Sequence, residues 1–401
     1  MSEDTSGASD RPGAAAGSGK AGTLLFVVNV AWFFVSHRLA LAQAACRSGF
    51  RVHLASDVEE ESEVEEVRRA GIEFHRIKIA RSGWNPLTEL RTIRDLQRIV
   101  RIVRPDIVHN VTAKPVIHGS RSARALRTPG VVNAVSGFGY VYSGGTGRRI
   151  LRAVLDHAYE RAFRPQNVRV VVQNEDDRNE VLRICPAASP RIRLIRGSGV
   201  DLNVFRESPE PEGTPTVVLP ARLLREKGVY EFAAAASELR RAGVSARFIV
   251  AGRLDPANRG ALTAEQVREL CASTGVEWIG DCQDMPRLFR ECHLVCLPSY
   301  REGMPKALLE ACGAGRAIIT SDSPGCRDVV RSGENGLLVP PRDSRALAAA
   351  MRELLTDPPR RRNMGRQGRL LAERAFGIDR IVQEHLAIYR ELVPLSARTP
   401  E

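Results

Sequence analysis

The sequence predicts an α/β protein built from two doubly wound parallel-sheet domains facing a cleft, and three observations carry that prediction. Short apolar, β-rich runs alternate with longer amphipathic stretches along most of the chain. A Pro- and Glu-rich break, ESPEPEGTP at 207–215, splits the alternation into two series. The 401 residues are enough for two cores. Strand, helix, strand in repetition implies parallel pairing, because parallel neighbours need a long crossover, usually a helix.

In chain order, residues 1–20 (MSEDTSGASDRPGAAAGSGK) are small, polar and aperiodic, which predicts a disordered tail without the apolar centre of a signal peptide. LLFVVNVAWFFV at 24–35 is about six residues short of a membrane-spanning helix. It contains Asn29 and predicts a buried strand running into a loop, with a helix following in VSHRLALAQAACRSG. RVHLAS, EFHRIKI, DIVHNV, VVNAVS, RVVVQN and RIRLIR complete the strands of a first domain, 21–200. TVVLPA, ARFIVAG, VEWIG, HLVCLPS, RAIITSD and NGLLVP are the strands of a second, 201–377, with helices such as VYEFAAAASELRRAG between them. The amphipathic stretch from about Ile378 to Leu392, within 378–401, predicts a helix that packs back across the domain boundary. Two such sheets place their ligands beyond the carboxyl ends of the strands, in the cleft between domains.

Composition narrows the chemistry. Eight cysteines are scattered without a paired zinc spacing and read as reduced core thiols. The formal charge is +12, and the segment from Arg81 to Arg169 holds 16 Lys and Arg against 5 Asp and Glu, a surplus of +11. A basic first half suits an anionic partner. No helix-turn-helix, finger or aromatic RNA-binding signature accompanies it, so a membrane surface ranks above nucleic acid.

REGMPKALLEACGAG at 301–315 carries the most specific chemistry. Pro305 suits a helix start and the glycines suit its end. Glu302 then precedes the helix while Glu310 lies inside it, five residues past Pro305, so the two carboxylates can bracket a ligand about 8 Å long at ~1.5 Å rise per residue. The positive helix N-terminus suits a diphosphate, and the flanking carboxylates suit hydroxyls at either end, which is the layout of a nucleotide sugar. Arg222 and Lys227 follow the strand-like TVVLPA at a distance from which both reach a diphosphate. The acidic run at 175–177 is not a D-x-D metal motif and is assigned to solvent.

In this order and spacing, ARLLREKGVYEF, VAGRLDP, WIGDCQDMP, LPSYREGMPKALLEACGAGRAIITSDSPGCRDVV and NGLLVPPRD resemble the second domain of the family 4 retaining glycosyltransferases, whose GT-B fold pairs two Rossmann-like domains. The paired glutamates match the family's E-x7-E motif. The resemblance implies that Glu302 meets the donor sugar and Glu310 the ribose, and that Arg222 and Lys227 stabilise the departing diphosphate. Gly303, Lys306, Ala307, Leu308 and Arg253 complete the nucleotide site. It implies a nucleotide-sugar co-substrate, of UDP type, with no resident cofactor and no metal. It also implies front-face attack with retention, a leaving-group oxygen taking the acceptor's proton.

FFVSHRLALAQAACRSGFRVHLAS resembles the family's first loop and helix, without the glycine pair many members have; His37 and Arg38 offer side-chain contacts there instead. HNVTAKPVIHGS puts His109 and Lys114 near a strand's carboxyl end, His109 being assigned to the catalytic set and Lys114 to the acceptor. VSGFGYVYSGGTGRR at 135–149 has five glycines and three aromatics. It predicts a flap whose Phe138 and Tyr140 pack on an acceptor sugar or dip into lipid headgroups. Similar loops occur in members that extend polyprenyl-diphosphate-linked sugars. The expected partner is therefore a lipid-linked sugar on the inner, cytoplasmic face of the cell membrane, held peripherally. A soluble acceptor, or a non-catalytic membrane scaffold on the same fold, are the alternatives.

Overall fold

The computed structural model describes residues 22–80, 83, 85–138, 149–258 and 260–393. The tail at 1–20 and most of the 135–149 loop, Tyr140 included, lie outside them. The first domain winds β1 (Gly22–Val30), α1 (Ala31–Arg47), β2 (Phe50–Asp57), α2 (Glu61–Arg69), β3 (Glu73–Arg76), α3 (Pro86–Val103), β4 (Ile107–Val111), α4 (Ala113–Ala125), β5 (Gly130–Val135), α5 (Arg149–Phe163), β6 (Val168–Val172), α6 (Glu175–Ile184) and β7 (Ile192–Leu194) into a parallel sheet. Its strand order is β3-β2-β1-β4-β5-β6-β7.

The second domain runs through β8 (Thr216–Pro220), α7 (Val229–Arg241), β9 (Arg247–Ala251), α8 (Ala264–Thr274), β10 (Glu277–Trp278), α9 (Met285–Arg290), β11 (Leu294–Leu297), α10 (Lys306–Gly313), β12 (Ala317–Ser321), β13 (Gly336–Val339), α11 (Ser344–Thr356) and α12 (Pro358–Leu371). Its parallel order is β10-β9-β8-β11-β12-β13. The central strands are apolar without alternation because helices cover both faces, and Leu24 to Val28 are all fully buried. Strand order reverses between β1 and β4 and between β8 and β11, and Trp32, just past β1, meets Arg222, just past β8, across the gap between the two sheets.

The run at 24–35 does not end in a loop. β1 passes directly into α1 at Ala31, which sets Trp32 and Phe33 in a first helical turn at the mouth of the β1/β4 crevice. The final helix, α13 (Ile378–Leu392), lies against the first domain, where Ile381, Leu386 and Tyr389 share a core with Leu24, Phe26 and Ile107. The chain crosses between domains twice, side by side: the Val200 amide donates to Phe376 O and the Ile378 amide to Val200 O, both at 2.9 Å. All eight cysteines are free, and five of them are buried. Among the described residues no helix is long and apolar enough to cross a membrane.

Candidate active site

α10 begins one residue after Pro305, at the carboxyl end of β11 and beside the second domain's crevice. The amides of a first helical turn have no intrahelical acceptor, so those of Lys306 and Ala307 are left to a ligand. Leu308 drops out of the predicted cradle, since its amide already donates to Pro305 O at 3.0 Å. Glu302 sits in the preceding loop, where its Oε1 accepts from Ser299 Oγ at 2.6 Å and from the Lys227 ammonium. Glu310, one turn into the helix and 5 % exposed, pairs with Lys306. Burial pushes its carboxyl up, and Lys306 works against that shift.

Two glycines allow these approaches. Gly228 has φ +74°, and a Cβ there would stand 2.3 Å from Pro298 O, so only glycine lets the turn carrying Lys227 touch the strand that delivers Glu302. At Gly303 a Cβ would lie 2.5 Å from Gln173 Oε1 and 2.7 Å from Ser136 C, both in the first domain. Asn174 Nδ2 donates to Gly303 O at 2.5 Å, so the loop of Glu302 rests against the carboxyl ends of β5 and β6.

Across the same cleft, Trp32 faces the donor-side cations. Arg253 lies 4.3 Å and Arg222 5.5 Å from its ring centroid, and Arg253 also pairs with Glu59 at 3.3 Å. Arg222 donates to Asp255 at 2.6 Å. Thus Arg222, Lys227, Lys306 and Arg253 each have a carboxylate partner: Asp255, Glu302, Glu310 and Glu59. A diphosphate entering at the α10 N-terminus can take Lys227 and Lys306 as its own counterions, which turns Glu302 and Glu310 from lysine partners into acceptors for hydroxyls.

The first-domain assignments need correction. His109 is 0 % exposed, its ring stacked on Phe26 at 4.9 Å and its Nδ1 bonded to Tyr389 Oη at 2.6 Å. It presents no atom to the cleft and has no catalytic position. Arg38, 3 % exposed, faces the same interior near Tyr389, and burial lowers its pKa to about 10. Lys114 is also buried and pairs with Glu89, which takes His118 Nε2 as well at 2.6 Å, so it is a member of an internal charge cluster rather than an acceptor contact. Phe138, 4 % exposed, packs edge-on against Tyr159 at 5.3 Å and offers no platform for a sugar.

His37 does reach the cleft. Its ring stacks on Phe33 at 4.1 Å, and its pKa is held well below the usual value by burial, then by the Lys306, Arg38 and Arg222 charges. Burial and the neighbouring cations thus favour its uncharged form.

Sequence reasoning missed Trp32, Ser299 and Asp255. It also assigned the whole acidic run at 175–177 to solvent, which holds for the exposed Glu175 and the partly exposed Asp176 but not for Asp177. Asp177 is 0 % exposed, accepts from the Asn174 amide group, and forms a 2.9 Å ion pair with Arg301 of the second domain. Burial, opposed by Arg301, raises its pKa to about 6.

An acid raised on folding adds stability below its unfolded pKa and loses that contribution as pH rises through the folded value. Asp177→Asn cannot ionise, so it should gain stability relative to wild type between about pH 4 and 7, by up to about 3 kcal/mol for a two-unit shift. Urea unfolding at stepped pH checks this, and a pH-independent difference would exclude it.

Comparison with known proteins bears on the same residues. The profile described as Glycosyl transferases group 1 matches residues 201–371, and the one described as Glycosyl transferase 4-like matches 23–168. The N,N'-diacetylbacillosaminyl-diphospho-undecaprenol alpha-1,3-N-acetylgalactosaminyltransferase of Campylobacter jejuni is 26% identical over 84% of this chain and 90% of its own length. The putative glycosyltransferase EpsD of Bacillus subtilis is 27% identical over 94% and 98%. Among solved structures, sucrose-phosphate synthase from Thermosynechococcus elongatus superposes with a TM-score of 0.74 at 18% identity over 92% of this chain and 98% of its own. Anabaena Alr3699/HepE, in complex with UDP and glucose, does so with 0.72 at 18% over 91% and 98%. These likenesses show the GT-B fold.

Proposed function

The chain belongs to the group 1 glycosyl transferases, with a 4-like first domain, and from that membership we propose that it moves a sugar from a UDP-sugar to a polyprenyl-diphosphate-linked acceptor, with retention and without a metal. The observation that carries this reading is the pair of exchangeable ion pairs, Lys227 with Glu302 and Lys306 with Glu310, on either side of one helix N-terminus. In the reaction the acceptor oxygen forms a bond to the sugar's anomeric carbon as the bond from that carbon to phosphate breaks. The acceptor's proton passes to the departing phosphate oxygen. Arg222, Lys227 and the amides of Lys306 and Ala307 take up the charge that grows on the diphosphate, which is the part a divalent cation would otherwise play.

The lipid-linked acceptor rests on two supports. The Campylobacter relative has a diphospho-undecaprenol-linked sugar in its name. In this chain the cleft-side ends of α3 and α5 carry exposed apolar residues, Leu87 at 77 % and Ile150 at 83 %, with Arg91 and Arg149 beside them. An apolar and basic rim next to the cleft suits an anionic bilayer, each basic residue near such a surface contributing roughly 1 kcal/mol. Binding to anionic liposomes should therefore weaken as salt rises and should weaken further in Arg149→Glu/Ile150→Ser. Equal binding to neutral liposomes, or none at low salt, would move a soluble acceptor ahead.

The function itself is tested by transfer from a panel of sugar nucleotides to a polyprenyl-diphosphate-linked sugar, with and without saturating EDTA. Turnover that survives EDTA is expected. A loss restored by metal would overturn the metal-free cradle, and no transfer or donor hydrolysis with any donor would favour a non-catalytic scaffold.

A further inference from the structure

The outer edge of the first-domain sheet carries a side-chain cluster that glycosyl transfer does not use. His53, in the middle of β2, is the register partner of Glu73 at the start of β3, and His75 stands two residues further along the same strand. Alternate residues of a strand share a face, so all three side chains project from the sheet together. His53 is 3 % exposed, whereas the Glu73 side chain is 61 % exposed. His53 Nδ1 lies 3.1 Å from His75 Nε2 and 3.4 Å from Glu73 Oε2, and the three donor atoms all fall within 4.8 Å of one another.

We propose that His53, Glu73 and His75 form a zinc site that ties the edge strand β3 to β2. Zinc bound at about 2.0–2.2 Å with tetrahedral angles holds its ligand atoms roughly 3.3–3.5 Å apart. The two separations from His53 sit at or near that spacing, and the His75 to Glu73 separation, within 4.8 Å, closes to it by rotation of the exposed Glu73 side chain. Two imidazoles and one carboxylate are a donor set that suits zinc over calcium or magnesium, which prefer oxygen alone. With Glu73 at the surface, the fourth position is open to water. β3 has only four residues and pairs with one neighbour, so the ion would cross-link a short edge strand to the sheet. The same 3.1 Å separation also serves an imidazole–imidazole hydrogen bond, and the experiment has to separate the two.

The full-length protein, stripped with a chelator, is titrated with zinc against a chromophoric indicator and with cobalt in the visible range. One equivalent of zinc bound per chain is expected, with cobalt bands of a four-coordinate nitrogen and oxygen site that lack a thiolate charge-transfer band. Glu73→Gln removes a surface carboxylate and leaves the core intact; it should weaken zinc at least tenfold and abolish the zinc-induced rise in Tm. His75→Ala should do the same. Unchanged affinity in both variants, a thiolate band pointing to the partly exposed Cys46, Cys271 or Cys282, or failure of wild type to compete with the indicator would each overturn the site. The site lies on the β2–β3 edge, away from the β1/β4 crevice, so turnover surviving EDTA is compatible with zinc that stabilises the fold.

Discussion

Glu302→Gln is expected to lower transfer on the order of 10²–10³-fold, the cost of removing one preorganised polar contact at a reacting centre, while UDP still binds. The amide keeps the shape of the carboxylate and the hydrogen bond from Ser299, which stands 2.6 Å away, but it carries no charge. In the proposed reaction a diphosphate draws Lys227 off, and the wild-type carboxylate is then left to accept from the donor sugar's hydroxyls and to face the positive charge developing at the anomeric carbon. Neither the nucleotide base nor the ribose is involved, so calorimetric affinity for UDP should fall little, and by no more than the change in the Lys227 environment accounts for. The separation of kcat from nucleotide affinity is the diagnostic result. A parallel loss of both would place Glu302 on the nucleotide and remove it from the sugar.

What could be read from the sequence divides along the domain boundary, for a physical reason. The candidate donor half of the site is local in sequence: Arg222 and Lys227 follow one strand, Arg253 follows the next, and Glu302 to Glu310 span a single loop and helix start, so spacing alone gathers them at one edge of the second sheet. The acceptor half is decided by contacts across long separations. His109 is at a plausible place on β4, but it is sealed by Tyr389, 280 residues away on α13. Lys114 is occupied by Glu89 from α3, 25 residues earlier. A strand-end rule places a residue in a crevice without saying which face of the sheet it occupies or what covers it. Trp32 was lost differently: a nearly continuous apolar run, interrupted only by Asn29, hides the point where β1 becomes α1, and that junction is what turns the indole toward Arg253 and Arg222. Within the 175–177 run only Asp177 was misread, because acidic residues are surface residues by composition, whereas Asp177 is buried and paired with the second domain's Arg301.

Lys227→Ala is expected to reduce kcat by about 10²-fold or more, because it removes a charged donor from the diphosphate as negative charge accumulates there in the transition state. It also leaves Glu302 without its cation in the ligand-free protein, where the two side chains are only 15% and 14% exposed. Stability should therefore fall as well, and a loss of activity alone would not separate chemistry from folding. The double variant Lys227→Ala/Glu302→Ala separates them. Removing both partners of a sparsely hydrated ion pair deletes the unpaired charge along with the pair, so Tm should recover most of what Lys227→Ala lost. Turnover should not recover, because the diphosphate still lacks its cation and the sugar now lacks its carboxylate. Lys227→Arg should restore stability better than kcat, since the planar fork has different reach and geometry from a single ammonium. If the double variant regained activity in step with Tm, the Lys227–Glu302 pair would be a structural link between the Arg225–Lys227 turn and the β11 loop, and the exchange of partners on diphosphate binding would be excluded.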